Sequence, residues 1–466
     1  MAFLPESRLL RTIIIVFGSF IFLVAFFYAE EDLRGWLAWE HCKHELATKG
    51  EILDWDKYIP PSVPDDQNFF KAPDMTEWFV RKNGLSNTND LTERLRNPDT
   101  TATSLNEAAS AKYLAWSDQF QPDFDLIRDA LKRPYARMDG DYSIPFAIPI
   151  PNFVAVRIVA QTLAQRAKCD LLLGQPDKAL QELTLIHDMC HLLEAAPTGK
   201  PMTLVAAMIN VAVTGLYTDT IASGLQSHEW QEPQLEALQK QLADVNLTPF
   251  VFGALQEEPA GLCRSAEITP VGKLFNLATS SRPEKWRTKF FDWVWPHGWT
   301  YQNMVNVAVL QQKPLEGFDL VHDTVAPRKF AEASSAVDKF FKSIGHGKSP
   351  YKLLAAIAIP NFTRAEQTTA HNQTLVNEAQ IACALERYRL AHGEYPDTLD
   401  ALAPQFIEKI PHDIIGGEPL IYRPTADGKF LLYSVGWNET DDDGRESPPA
   451  QNGGVDYTKG DWVWKN

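Results

Sequence analysis

Residues Ile13 to Ala29 carry no charge and are rich in Ile, Phe, Val and Leu. At the rise of an α-helix this stretch spans roughly 25 Å, close to the minimum needed to cross the hydrocarbon of a bilayer. A helix of this composition cannot stay in water without a cover, so it dictates the plan of the rest: a membrane helix with the remainder of the chain on one side. Arg8 and Arg11 precede it, and Glu30, Glu31 and Asp32 follow. The positive-inside rule therefore predicts a cytoplasmic segment 1–12, a span at 13–29 and an extracytoplasmic bulk. The competing reading is a cleaved signal peptide. Its apolar region would be shorter, and Phe26-Phe27-Tyr28-Ala29-Glu30 lacks a good small-x-small exit.

The 466 residues are enough for two or three domains, and 45% apolar content supports real cores. A net charge of -16 with no long Lys/Arg run gives no general attraction for phosphate backbones, so nucleic acid is not an expected partner. The expected partners are the membrane, through 13–29, and a protein. Cys42, Cys169, Cys190, Cys263 and Cys383 are scattered without a C-x-x-C pair, which excludes recognisable zinc or thioredoxin-like motifs. They read as small buried apolar groups, with one disulfide left open for an extracytoplasmic domain.

Beyond the span, Asp32 to Lys49 predicts a juxtamembrane helix stopped at Gly50. Residues 58–75, with Pro60, Pro61, Pro64 and Pro73, read as an extended linker or wrapped loop pinned by Trp78 and Phe79, within a segment 30–103. A helical body at 104–350 follows. Its clearest runs are Phe153 to Leu173, Asp177 to Ala195 and Leu204 to Leu225. The first two resemble one tetratricopeptide-like hairpin, but no second copy follows, so an irregular bundle is predicted rather than a solenoid. Trp286, Trp293, Trp295, Trp299 and Tyr301 stand among Lys and Arg, a texture suited to a core seam or to a membrane surface.

The last part, 351–466, has a different pattern. Leu353 to Ile359 is apolar but too short to span a bilayer. Leu375, Ala379, Ala382, Leu385 and Tyr388 then form one helical stripe opposite Gln380, Glu386 and Arg387, with Gly393 at the end. Leu420 to Arg423 and Phe430 to Ser434 read as a hairpin around Ala426-Asp427-Gly428, and Asp461 to Trp464 as a returning strand. The predicted class is mainly α with a small α+β C-terminal domain.

The sequence Ala384 to Pro396, the Leu399...Leu402 turn, Pro419-Leu420-Ile421-Tyr422 and Leu432-Tyr433-Ser434-Val435-Gly436, entered through Ala358-Ile359-Pro360-Asn361-Phe362, resembles the globular part of the major pseudopilins of type II secretion. The resemblance covers about residues 353–464 and leaves 30–350 untouched. It implies a long helix packed on a small antiparallel sheet, and a calcium-binding loop after the Tyr-Ser-x-Gly strand. That loop would be Trp437 to Asp461, with Asp441, Asp442, Asp443, Asp456 and Asp461 as oxygen ligands and Ser434 close by. Pro448, Pro449 and Gly453-Gly454 depart from the family pattern, and a solvated acidic turn is the plainer reading. The prepilin processing signal is missing, and a filament subunit would need its apolar N-terminal helix contiguous with this domain.

No hydrolase elbow or phosphate-binding fingerprint is present. His41 and His44 flank Cys42 near Glu45 without a third ligand in reach of sequence reasoning. His187 and His191 lie at i and i+4 beside Asp188, and Glu257-Glu258 offers carboxylates, so His187, His191 and Glu257 form the candidate polar site of a membrane-tethered hydrolase. The leading expectation is a non-enzymatic, single-pass envelope protein acting through protein contacts. A pseudopilin-like component of a secretion machine is the third reading.

Overall fold

The computed structural model describes residues 8–80, 90–96, 106–194, 203–274, 285–344, 349–359, 362–449 and 455–465. The chain is mainly helical, with small antiparallel sheets towards the C-terminus.

Helix α1, Arg8–Thr48, is longer than either segment expected for it. The apolar stretch and the juxtamembrane helix are continuous, because nothing between Ala29 and Asp32 breaks an α-helix and Glu30 pairs with Arg34 one turn on. Its first half is exposed from Leu9 to Phe27, and it is long and apolar enough to cross a membrane. Its second half buries Glu31, Gly35, Trp39, Cys42 and Leu46. Leu204–Gln226 passes the same length and hydropathy test, but 61% of its apolar window is buried, which makes it a core helix.

Short helices α2, Met75–Phe79, and α3, Asp90–Arg94, lead to α4, Glu107–Ser117, and α5, Gln121–Ala130. The Pro-rich segment before them is a wrapped loop: Trp55, Tyr58, Phe69, Phe70, Trp78 and Phe79 are all buried. Helices α6, Phe153–Leu172, and α7, Pro176–Glu194, form the expected hairpin, and α8 is Leu204–Gln226. Asn152 and Thr203 cap α6 and α8 by accepting the N–H of Ala155 and Ala206, the usual service of short polar side chains at a helix start. Helix α10, Leu247–Ile268, packs on α8, and α9, Glu232–Ala243, packs on α7.

Helix α11, Lys285–Val294, is followed by α12, His297–Gln312, which lies along the second half of α1. Their crossing is set by two glycines. A Cβ on Gly35 would stand 2.3 Å from the Gly298 carbonyl oxygen, and one on Gly298 would stand 1.9 Å from that of Glu31. Only backbones without side chains approach this closely. A two-stranded pair, β1 Phe318–Asp319 with β2 Thr324–Val325, precedes α13, Pro327–Ile344, and the short α14, Leu353–Ala358.

Helix α15, Thr363–His392, ends where Gly393 takes a left-handed φ of 85°. Strands β3, Ile421–Pro424, and β4, Phe430–Ser434, pair with Ile421 opposite Tyr433, and β5, Trp462–Val463, adds with Ser434 opposite Trp462. The helix-plus-sheet arrangement and the hairpin follow expectation. The amphipathic reading of the helix does not: Glu386, assigned to its solvent face, is buried with Glu366, Gln373, Asn377 and Glu378. Helices α8, α9 and α10 cover it on the sides away from the sheet. One core accordingly runs from Phe69 through Leu163, Ile186 and Ile221 to Leu385, Phe430 and Trp464, across the boundary expected at residue 351. Pro360 and Asn361, at the pilin-like entrance, lie outside the described residues.

Candidate functional site

The five aspartates of the C-terminal loop are bound into the fold by separate sets of donors. Asp461 is almost fully buried, and its carboxylate accepts the N–H of Asp442 at 3.1 Å and of Gly444 at 2.7 Å. Burial raises its pKa, while those amide bonds pull the other way. Asp441 accepts from the Asp443 N–H and the Tyr433 hydroxyl, Asp442 from the Asn438 side-chain amide, and Asp443 from Arg423. Asp456 holds a turn through the Thr458 N–H and hydroxyl. The Ser434 hydroxyl accepts the Gly436 N–H at 3.0 Å. As arranged, the loop is closed by its own hydrogen bonds with Asp461 as hub, and a cation there would have to displace the amides of Asp442 and Gly444. Among the described residues no group of three or more His, Cys, Asp or Glu is assembled as a metal site. Residues 450–454 of the loop lie outside them.

Among the described residues, the polar side chains of the body sit against different elements. The buried His187 ring sits 6.0 Å from the Tyr217 ring, and its Nε2 lies 3.1 Å from the Gln241 carbonyl oxygen, so this nitrogen carries the proton and donates it. The Tyr217 hydroxyl donates to the Gln241 side chain at 2.8 Å. His187 therefore ties α7 to α9. His191 follows on the same helix, and its side chain lies outside the described residues. Glu257 is buried on α10 on the side of Tyr58, whose hydroxyl it holds in the protonated form together with burial. His41 and His44 are exposed, while Cys42 between them points into the core and burial pushes its thiol up to about 11. All five cysteines are buried, and none is joined in a disulfide.

Two clusters escaped sequence reasoning. The first ties the body to α1. Buried Glu31 accepts from Arg34 at 2.7 Å, from the Tyr351 hydroxyl at 3.0 Å and from the Trp299 indole N–H at 2.9 Å. Glu31 was legible only as a topology charge, because its partners are remote in sequence.

The second is a set of buried carboxylates on and beside α15. Glu378 is fully buried without a side-chain partner, and burial raises its pKa well above the usual carboxylate range against the pull of the Ser434 backbone. Beside it Asp413, which accepts the N–H of Ile415 and Val435, is pushed up to about 6, chiefly by burial. Two carboxylates at one dry seam cannot both ionise cheaply, so Glu378 holds a proton. Burial alone pushes Glu366 up to about 8. Helical periodicity treats each glutamate as outward-facing, which is why this set is silent in the sequence.

A cavity of about 690 Å³ opens between α6 and α8, lined by Arg157, Gln161, Leu204, Met208, Glu258 and Phe362. Glu258 accepts the N–H of Leu204 at 3.2 Å at the start of α8, and burial raises its pKa. A second cavity of about 290 Å³ is mostly apolar, between Leu262, Cys263, Met304 and Leu354. These arrangements can hold apolar matter beside Arg157 and Glu258, and among the described residues they assemble no nucleophile with a base. No family model, curated protein or solved structure matches this chain.

Proposed function

We propose that this chain is a single-pass, membrane-anchored protein whose body stands on the extracytoplasmic side of a cell envelope and acts as a scaffold through protein contacts. The observation that carries the reading is the continuity of α1. The same helix leaves an apolar half exposed and, one turn after Ala29, enters the core through Glu31, Gly35 and Trp39. A flexible tether would let a soluble domain drift from the surface. Here the Gly35–Gly298 contact and the Glu31 cluster hold the body at a fixed height and orientation. That geometry suits a part that must meet another envelope component in register. The orientation rests on Arg8 and Arg11 before the span and Glu30, Glu31 and Asp32 after it. The pseudopilin-like character of 351–466 points towards secretion-related partners.

The test uses Val321→Cys in the full chain, since Val321 is among the most exposed side chains and the native thiols are buried. A membrane-impermeant maleimide should label it in intact cells stripped of any outer barrier. Labelling only after lysis overturns the orientation. Turnover of an ester or peptide substrate by the purified chain, lost in Glu258→Gln, would replace the scaffold by a membrane-tethered hydrolase working in the 690 Å³ cavity.

A further inference from the structure

We propose that α11 lies in the lipid–water interface beside the anchor and gives the body a second, peripheral contact with the bilayer. The proposal rests on Ile13–Ala29 being the membrane span.

The height of α11 is set by α1. The Tyr28 hydroxyl, in the last turn of the apolar stretch, donates to the Val294 carbonyl at 2.9 Å. Directly after it, the Gly298 N–H donates to Asp32 at 2.8 Å, and the Phe27 ring meets Trp299 edge-on at 6.4 Å. The C-terminal end of α11 is thus level with the point where the span leaves the hydrocarbon. At one turn per 5.4 Å, Phe290 and Trp293 lie within about one turn of that point.

The rotation of α11 is set by the body. Asp292 accepts the Gly272 N–H at 2.7 Å, and a Cβ on Gly272 would stand 2.5 Å from the Thr288 side chain. Thr288 and Asp292, four residues apart, are the inward face. Phe290 and Trp293, three apart, point the other way and are 53% and 80% exposed. Large aromatics turned outward at this height match the aromatic belt of membrane proteins, whose rings prefer the headgroup region.

The local charge agrees. Lys289 lies beside Phe290 on α11 and is exposed, while the helix's acidic Asp292 is turned to the body, in a chain with a net charge of -16. A short basic, aromatic helix is the composition that adsorbs to anionic lipid surfaces. Val321 is equally bare, but with Leu320 it forms only a two-residue apolar tip between Asp319 and His322 in a tight hairpin, too small a patch to need a partner. A second copy of the chain is the competing cover for α11. It would bury the aromatics in protein rather than lipid.

The test compares single labelled cysteines in the full chain reconstituted into anionic liposomes: Trp293→Cys and Phe290→Cys on α11, Phe20→Cys in the anchor, and Val321→Cys as the solvent reference. Each carries an environment-sensitive fluorophore, and quenching is read with lipids brominated near the headgroup end of their chains. Positions 290 and 293 should be quenched roughly twofold or more, while 321 stays unquenched. Quenching at 20 with none at 290 and 293 overturns this contact and leaves the anchor standing. Absence of quenching at 20 as well overturns the anchor and this inference together. A blue-shifted emission at 293 that brominated lipid leaves unchanged means protein cover, and likewise overturns it.

Discussion

Helices α1 and α15 invert one another. The first half of α1 is apolar and bare, whereas α15 carries Glu366, Gln373, Asn377, Glu378 and Glu386 and is buried along most of its length. In a water-soluble protein either would be a fault. On the proposed reading, exposure of α1 is explained by a different solvent, lipid, in which apolar surface costs nothing. Burial of Gln373, Asn377 and Glu386 is explained by partners, and that of Glu366 and Glu378 by loss of charge, since burial favours their neutral forms. The Gln373 side chain accepts the Leu247 N–H at 2.7 Å and donates to Asn377, Asn377 donates to the His412 carbonyl, and Gln380 donates to that of Leu242. Glu386 is held by Arg389, His228 and Tyr395. Polar side chains can enter a core when each finds a fixed partner, and each partner fixes the position of a neighbouring element. The pattern of one helix names its solvent, while the pattern of the other names its neighbours.

The comparison breaks first if α1 is not in lipid. Phe17→Asp with Ile21→Asp places two carboxylates on one face of the span, at a cost of roughly 6 kcal/mol on insertion scales. The variant should leave the membrane fraction on alkaline carbonate washing, with the wild type retained. Retention of the variant would mean that the apolar half is covered by protein. The next effect is at the junction of the two environments. Gly298→Leu forces a side chain into the Glu31 backbone and should cost about 3 kcal/mol or more, read as a lower melting temperature in detergent or as failure to fold. The milder Gly35→Ala keeps the test usable if the larger residue abolishes expression.

The burial of α15 has a pH signature. The folded pKa of Glu366 is raised to about 8 from a usual 4.5, so the folded chain binds the extra proton. Stability from this group is complete below the unfolded pKa near 4.5 and is lost as pH rises towards 8. Glu366→Gln should therefore be close to neutral at pH 4.5 and stabilising by about 3 kcal/mol at pH 7. Urea melts of both proteins at the two values measure it. Equal effects at the two pH values would show that Glu366 is ionised and solvated.

Much of the fold was legible, and the limits have physical causes. The ends of α6 and α8, and the hairpin around Asp427-Gly428, follow from caps, periodicity and turn residues, all local in sequence. The joining of Ile13–Ala29 to Asp32–Lys49 was missed because composition changes there while backbone conformation does not. The burial of Glu386 was missed because the groups that make it possible, such as His228 and Tyr395, lie far along the chain or beyond the helix, and that of Glu378 because no helical pattern marks a carboxyl held neutral at a dry seam. For the same reason His187 and Glu257 suggested a shared site that the fold distributes between different seams.

The smallest effect bears on the acidic loop, where the two helical lessons meet: a buried carboxylate, Asp461, whose partners are amides rather than side chains. Asp461→Asn keeps one acceptor for the Gly444 N–H but turns an NH2 towards the Asp442 N–H. Since burial already weakens the preference for the charged form, the net loss should be only about 1 kcal/mol. Thermal melts in EDTA and in calcium sharpen the result. If Asp461 serves the amides, both proteins melt independently of calcium and differ by that small, constant amount. If calcium raises the melting temperature of the wild type and this shift vanishes in Asp461→Asn, the carboxylate exchanges its amides for the ion, as the sequence resemblance to pseudopilins implies.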